Sequence, residues 1–206
     1  SSNMKKQFCI CILILFSISI YSQRIILVTN VNVVDVEKGM ILRDMHVLIK
    51  DSLIADIIDA KQKKNLPGTD TVVNGKGKYL IPGLWDMHVH LEMATKVSLP
   101  YFIAYGVTGV RDMGANSFDS IKQWRNEVEQ GNLIGPHIIA SGPMIDGPFF
   151  VNVLRVTVNT PSEARKAVDS LVALGVDFIK VHQQLSKDAY LAVADQAAKH
   201  KIPFAG

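Results

Sequence analysis

The sequence predicts an α/β chain: a small β layer followed by alternating strands and helices. Three observations carry this. Residues 24–82 hold short β-branched segments separated by turns. After Pro82-Gly83, strand-like and helix-like segments alternate. The later strands start roughly 25 to 40 residues apart, as βα units with their loops require. Such alternation argues for a parallel sheet covered by helices. On the residues alone, that sheet is either open and doubly wound or the first half of an eight-stranded barrel. A barrel needs about 250 residues, and Leu84 to Gly206 supplies about half of that.

Composition sets the outer bounds. The 206 residues are 48% apolar and 20% charged, an ordinary globular balance. The net charge is +3 and both signs are spread along the chain. The lysines of Lys61 to Lys64 have no aromatic neighbours and read as a solvated loop face. Nothing supports a nucleic-acid partner.

Residues 1–23 read as a tag remnant and a signal peptide. Met4 is the expected start, after Ser1, Ser2 and Asn3. Lys5 and Lys6 form a basic flank, and Phe8 to Ile20 is apolar but shorter than the ~20 residues a spanning helix needs. A small polar stretch, Tyr21-Ser22-Gln23, ends it. This layout implies a signal peptide over about residues 4–22 and export to the periplasm or exterior; an uncleaved anchor is the alternative. Both cysteines, Cys9 and Cys11, lie in the apolar run, so a mature chain would have neither disulfides nor thiolate chemistry.

In the β layer, residues 24–82, the expected strands are Ile25 to Val28, Val31 to Val36, Ile41 to Lys50, Leu53 to Ile58, Val72-Val73 and Lys78 to Ile81. Turns are expected at Glu37-Lys38-Gly39, Asp51-Ser52 and Gly75 to Gly77, with a loop over Lys63 to Thr69. In residues 83–206 the strands are Leu84 to Leu91, Val107 to Asp112, His137 to Ser141, Asp177 to His182 and Ile202 to Gly206. Helices are expected at Thr95 to Tyr105 and at Asp119 to Gln130, the latter closed by Gly131. A third opens on Thr160-Pro161-Ser162-Glu163 and ends at Leu174-Gly175, its threonine cap, proline and glutamate being a helix-start signature. A fourth is capped by Ser186 and runs through Lys199.

Two segments carry chemistry. In Ile81 to His90, side chains alternate along the strand. His88 and His90 are therefore expected on one face with Cα atoms ~6.5–7 Å apart. Both imidazoles could then reach one divalent ion at about 2.0–2.1 Å. Asp86 is expected to point the same way and orient a ligand, with Met87, Val89 and Leu91 facing oppositely. In Asp177 to His182, Phe178, Lys180 and His182 share a face. An isolated buried ammonium is costly. Lys180 is thus either part of a site that changes lysine chemistry or a strand-end lysine paired with a carboxylate.

These segments resemble the amidohydrolase superfamily. Ile81-Pro82-Gly83-Leu84-Trp85-Asp86-Met87-His88-Val89-His90 resembles its opening motif. The stretches Gly106 to Gly114, Ala140 to Pro148 and Phe178-Ile179-Lys180-Val181 resemble the imidazolonepropionase-like and Xaa-Pro-dipeptidase-like branch, and the likeness covers Arg24 to Gly206. The resemblance implies a (β/α)8 barrel with a small β-sandwich, of which this chain would be the first half, strands one to five. It implies a metal site of His88, His90 and carbamylated Lys180 holding divalent metal, usually two zinc ions. It implies hydrolysis of C–N bonds in a small amide, peptide or cyclic amide. Members also carry histidines after strands five and six and an aspartate after strand eight. The chain ends at Gly206, so that aspartate would lie beyond it. No catalytic residue is assigned within this chain, which would be a truncated, inactive portion; a non-catalytic metal- or protein-binding α/β domain is the alternative.

The remaining expectations are local. His182 is expected to line the substrate site, whereas His46 reads as structural or exposed, His137 as structural, and His200 as a cation suited to the end of its helix. Arg111 and Asp112 are expected to pair as a structural ion pair. The loop Pro143 to Asn159 is expected to shape the pocket or to be a packing insert. Open edges at strands one and five invite self-association or pairing with the missing C-terminal half.

Overall fold

The computed structural model describes residues 24–62, 68–148 and 155–206. The expectations for the leader and its cysteines, for Lys63 to Pro67 and for the middle of the Pro143 to Asn159 loop lie outside the described residues. The chain divides into two compact units between Pro82 and Gly83. No described helix is long and apolar enough to cross a membrane.

The described residues of the first unit form one sheet. It contains β1 (Ile25–Asp35), β2 (Met40–Lys50), β3 (Leu53–Asp59), β4 (Thr71–Asn74) and β5 (Tyr79–Leu80). Its order is β3-β2-β1-β4, with β5 also on β1. The two runs expected over Ile25 to Val36 are one strand, with register shifts at Val28/Val31 and Val31/Val33. Asn30, at φ 53°, marks the irregularity. β1, β2 and β3 are hairpin-connected and antiparallel. β4 and β5 instead run parallel to β1, so hairpins do not connect the whole layer. Val31, Val33 and Val47 form the core, backed by Leu42, Met45 and Leu80.

The second unit is built on parallel strands. β6 (Leu84–Val89), β7 (Val107–Asp112) and β8 (His137–Ala140) form one sheet. β9 (Met144–Asp146) continues the path of β8 and pairs with β10 (Arg155–Thr157). The Asp177 N–H donates to the Ala140 carbonyl at 2.9 Å, and Ile145 bridges Val181, which brings in β11 (Ile179–Lys180). β11 pairs with β12 (Phe204–Ala205). The path β6-β7-β8/β9-β11-β12 follows chain order without reversal. A doubly wound sheet reverses its strand order, and no such reversal occurs among the described strands. β6 and β12 stand at the ends of the path.

Among the described residues, five helices cover this array: α1 (Leu91–Ala94), α2 (Leu99–Ala104), α3 (Phe118–Glu129), α4 (Pro161–Leu174) and α5 (Lys187–His200). Val110, Ile138 and Ile179 from the strands pack with Leu99, Ile121, Val168 and Val193 from the helices. Caps fix the ends. Thr160 accepts from the Glu163 N–H at 3.2 Å and Ser186 from the Ala189 N–H at 3.2 Å. The single helix expected over Thr95 to Tyr105 is instead α1, a 3-10 turn Lys96–Ser98 and α2. Thr95 sits at φ 65°, which breaks helical geometry there. The first strand stops at Val89, and buried Leu91 already belongs to α1.

Candidate functional site

The site is assembled where β6 meets β7. In that ladder Asp86 pairs with Val110 and Val89 with Asp112. Three steps on β6 face two on β7, a β-bulge. The extra residue resets the alternation. Asp86 takes the face of Val110, toward the helices, and lines a cavity with Ser98, Tyr101, Phe102 and Tyr105. His88 and His90, flanking the buried Val89, take the other face. The expectation that Asp86 shares the histidine face is therefore corrected. Its carboxylate instead accepts from the His88 N–H at 3.1 Å, within the bulge.

The two imidazoles are neighbours, with ring centroids 5.4 Å apart and planes at 63°. His90 Nδ1 lies 3.1 Å from the Gly114 carbonyl oxygen. A carbonyl only accepts, so Nδ1 carries the proton and Nε2 keeps its lone pair. Gly114 has φ 149°, and a Cβ there would press on Met144 and come within 3.5 Å of the His90 ring.

Asp112 secures the same corner. Fully buried, it accepts from the Leu91 N–H at 2.8 Å through Oδ1, while Oδ2 has no partner among the described residues. Burial pushes its carboxyl above the ordinary carboxylate range, against the opposing pull of the Leu91 N–H. The expected Arg111–Asp112 ion pair is not formed. Consecutive strand residues point to opposite faces, and Arg111 Nε donates to the Met87 carbonyl at 2.8 Å. The Arg111 guanidinium lies 5.6 Å from the Phe178 ring centroid.

Lys180 is 8% exposed. Burial, and secondarily the charge of Arg111, lower its pKa below the ordinary lysine value. Among the described residues it makes no ion pair, so the paired-lysine alternative finds no carboxylate. Arg111 links the two predicted segments: it bonds the residue before His88 and acts on Lys180. Among the described residues, no three His, Cys, Asp or Glu side chains converge on an ion-sized space.

His182 and Lys180 line a cavity of roughly 570 Å³ together with Lys187 and Tyr190. The His182 ring is anchored by Asp146, a residue whose role the sequence does not disclose. Fully buried Asp146 accepts from His182 Nδ1 at 3.1 Å, from Gln184 N–H at 2.8 Å and from Gly147 N–H at 2.9 Å, and pairs with Arg155. The one available signal is an aspartate ending an apolar strand before glycine. That glycine is required, because a Cβ on Gly147 would overlap the Gln184 carbonyl. The other histidines have structural surroundings: His46 accepts from the Asn30 N–H, His137 packs edge-on against Trp85, and His200 pairs with Asp169.

No family model matches the chain. An imidazolonepropionase of Streptococcus pyogenes serotype M1 is 33% identical over 104 residues, 43% of this chain and 25% of that protein. A dihydroorotase of Carboxydothermus hydrogenoformans is 45% identical over 66 residues, 32% of this chain and 14% of that protein. The structure of a protein assigned as a prolidase from Bifidobacterium longum superposes with a TM-score of 0.75 at 25% identity, covering 88% of this chain and 48% of that one. These relatives and this structure support the amidohydrolase superfamily that the motifs resemble. They likewise support its imidazolonepropionase-like and Xaa-Pro-dipeptidase-like branch. The chain spans about half the length of the prolidase structure, and its matched segments cover a quarter or less of the two curated relatives.

Proposed function

We propose that this chain carries the metal-binding part of a hydrolase that cleaves C–N bonds in small amides, peptides or cyclic amides. One observation carries the proposal: His90 gives its Nδ1 proton to the Gly114 carbonyl and so presents Nε2, with the His88 ring beside it. Metal-ligating histidines ordinarily donate their other N–H in this way. In this reading His88, His90 and Lys180 hold divalent metal, two zinc ions, with Lys180 as its carbamate. The residues present fit such a group. Imidazole suits zinc, and burial of Lys180 favours the neutral amine, the form that takes up carbon dioxide. A bound metal would supply Lewis acidity toward the substrate carbonyl and an acidified water.

The chain's own residues do the positioning. The bulge and Asp86 turn His88 onto the face of His90. Gly114 and Asp112 hold the corner after His90. Arg111 ties the histidine strand to the surroundings of Lys180. His182 faces the substrate. β6 to β12 are read as strands one to five of a (β/α)8 barrel, and β1 to β5 as its small sandwich-type layer. The open edges of β6 and β12 would accept a second copy or a C-terminal half.

No proton-transferring aspartate is assigned here, so metal binding is expected of this chain, and turnover of a protein that supplies that residue. Zinc affinity of the wild type and of His90→Ala tests the proposal. Binding that falls at least tenfold in the variant supports it; equal binding contradicts it. A second reading, a metal- or protein-binding α/β domain without turnover, is favoured by the lack of three converging His, Cys, Asp or Glu side chains among the described residues. Assays of dipeptide hydrolysis by the zinc-loaded longer protein separate the two.

A further inference from the structure

The least expected group in the second unit is Asp146. A fully buried carboxylate is expensive unless its lone pairs are satisfied. Here they are met by two backbone N–H groups, the Arg155 guanidinium and His182 Nδ1. The donors come from three stretches of chain: Gly147 beside it, Arg155 on β10, and His182 with Gln184 after β11. A surface carboxylate would serve the loops equally well at less desolvation cost. What burial adds is a fixed direction for His182.

We infer that Asp146 is a positioning residue that holds His182 with Nδ1 as donor, leaving Nε2 as a hydrogen-bond acceptor for an N–H group of the ligand in the cavity shared with Lys180. This rests on the proposed hydrolase function, which makes the ligand an amide or peptide. The geometry gives three supports. A carboxylate can only accept, so a 3.1 Å contact to Asp146 Oδ2 assigns the proton to Nδ1. Nε2 has no hydrogen-bond partner among the described residues. The ring remains 31% exposed although its anchor is fully buried, and it lines the roughly 570 Å³ cavity. The charged groups around the ring are Asp146, Arg155 behind it, and Lys180 and Lys187 on the cavity wall. Lys187 on that wall is a donor, Gln183 and Tyr190 can donate or accept, and His182 Nε2 is the acceptor whose direction a buried anchor fixes. The ligand class is therefore one with a free N–H beside its carbonyl, a secondary amide rather than an N-alkylated one.

The test is ¹⁵N NMR of the full chain labelled at histidine, in alkaline buffer, with alanylglycine and its N-methyl analogue alanylsarcosine as probes. The expected result is a His182 signal with Nδ1 protonated and Nε2 bare, and an Nε2 resonance that moves with alanylglycine but not with alanylsarcosine. Asp146→Asn, whose amide can donate as well as accept, is expected to shift His182 toward the Nε2–H form while the signals of His46 and His137 stay in place. A His182 that is Nε2–H in the wild type, or unchanged in a folded Asp146→Asn chain, overturns the inference. So does equal response, or none, to the two dipeptides. Should Asp146→Asn fail to fold, His182→Phe supplies the second arm: at least a fivefold loss of alanylglycine affinity is expected, and unchanged affinity overturns the inference. The tautomer is read without metal, so its failure is distinguishable from failure of the hydrolase reading, which shows as absent zinc binding.

Discussion

His90 Nδ1 donates to the carbonyl of Gly114, 3.1 Å away, across the gap between the strand that carries the histidines and its parallel neighbour. That bond sets which nitrogen of His90 is free. It depends on a residue at φ 149° beside the ring. Gly114→Ala strains that backbone and crowds His90 and Met144. Loss of such an orienting contact ordinarily costs about 10- to 100-fold in metal affinity. Zinc competition titrations should show a drop of that order with circular dichroism unchanged.

Asp112 makes a stability prediction with a definite sign in pH. Removing its carboxylate in Asp112→Ala strands the buried Leu91 N–H, at a cost of about 1–3 kcal/mol in denaturant unfolding. Burial raises its folded-state pKa above the ordinary 3.8, so the folded protein holds this proton more tightly than the unfolded chain. The stability it contributes is present below 3.8 and is lost as pH rises through the raised value. Asp112→Asn, which keeps an acceptor for Leu91 and cannot ionise, should melt with a flatter pH dependence than the wild type between 3.8 and the raised value.

The contact between α4 and α5 has the opposite sign. Asp169 is lowered by the Gln196 side chain and then by His200; Asp195 is lowered by Lys199 and then by Arg165. Both contributions are present above the ordinary 3.8 and are lost as pH falls through the lowered values. An Asp169→Asn, Asp195→Asn double variant should lose less of its melting temperature between about pH 4 and pH 2 than the wild type does.

Lys180 is expected to react as a neutral amine. Its burial, aided by Arg111, disfavours the ammonium. Incubation with ¹³C-bicarbonate and zinc should place a carbamate carbon signal on the wild type that is missing from Lys180→Arg. Incorporation that is the same in both would remove Lys180 from the proposed centre.

What the sequence disclosed follows physical locality. α4 and α5 were legible because caps, proline and a closing glycine lie within each helix: Thr160, Pro161, Gly175 and Ser186. The parallel series was legible because apolar strands and helical spacing recur. The facing of Asp86 was not legible, since one bulge residue flips alternation and leaves no compositional trace. Nor was the break at Thr95, where a β-branched residue takes a positive φ without any glycine to announce it. Arg111 and Asp112 looked like a pair by proximity in sequence, but strand geometry sends neighbours apart. The hub at Asp146 depends on Arg155, His182 and Gln184, which only the fold brings together.

His88, His90 and Lys180 are proposed to form a metal centre. Elemental analysis after zinc loading and gel filtration, on the wild type, His88→Ala/His90→Ala and Lys180→Ala, tests it most directly. The predicted result is zinc retained by the wild type, lost from the double histidine variant and reduced in Lys180→Ala. Zinc absent from the wild type, or retained equally by all three, would contradict it.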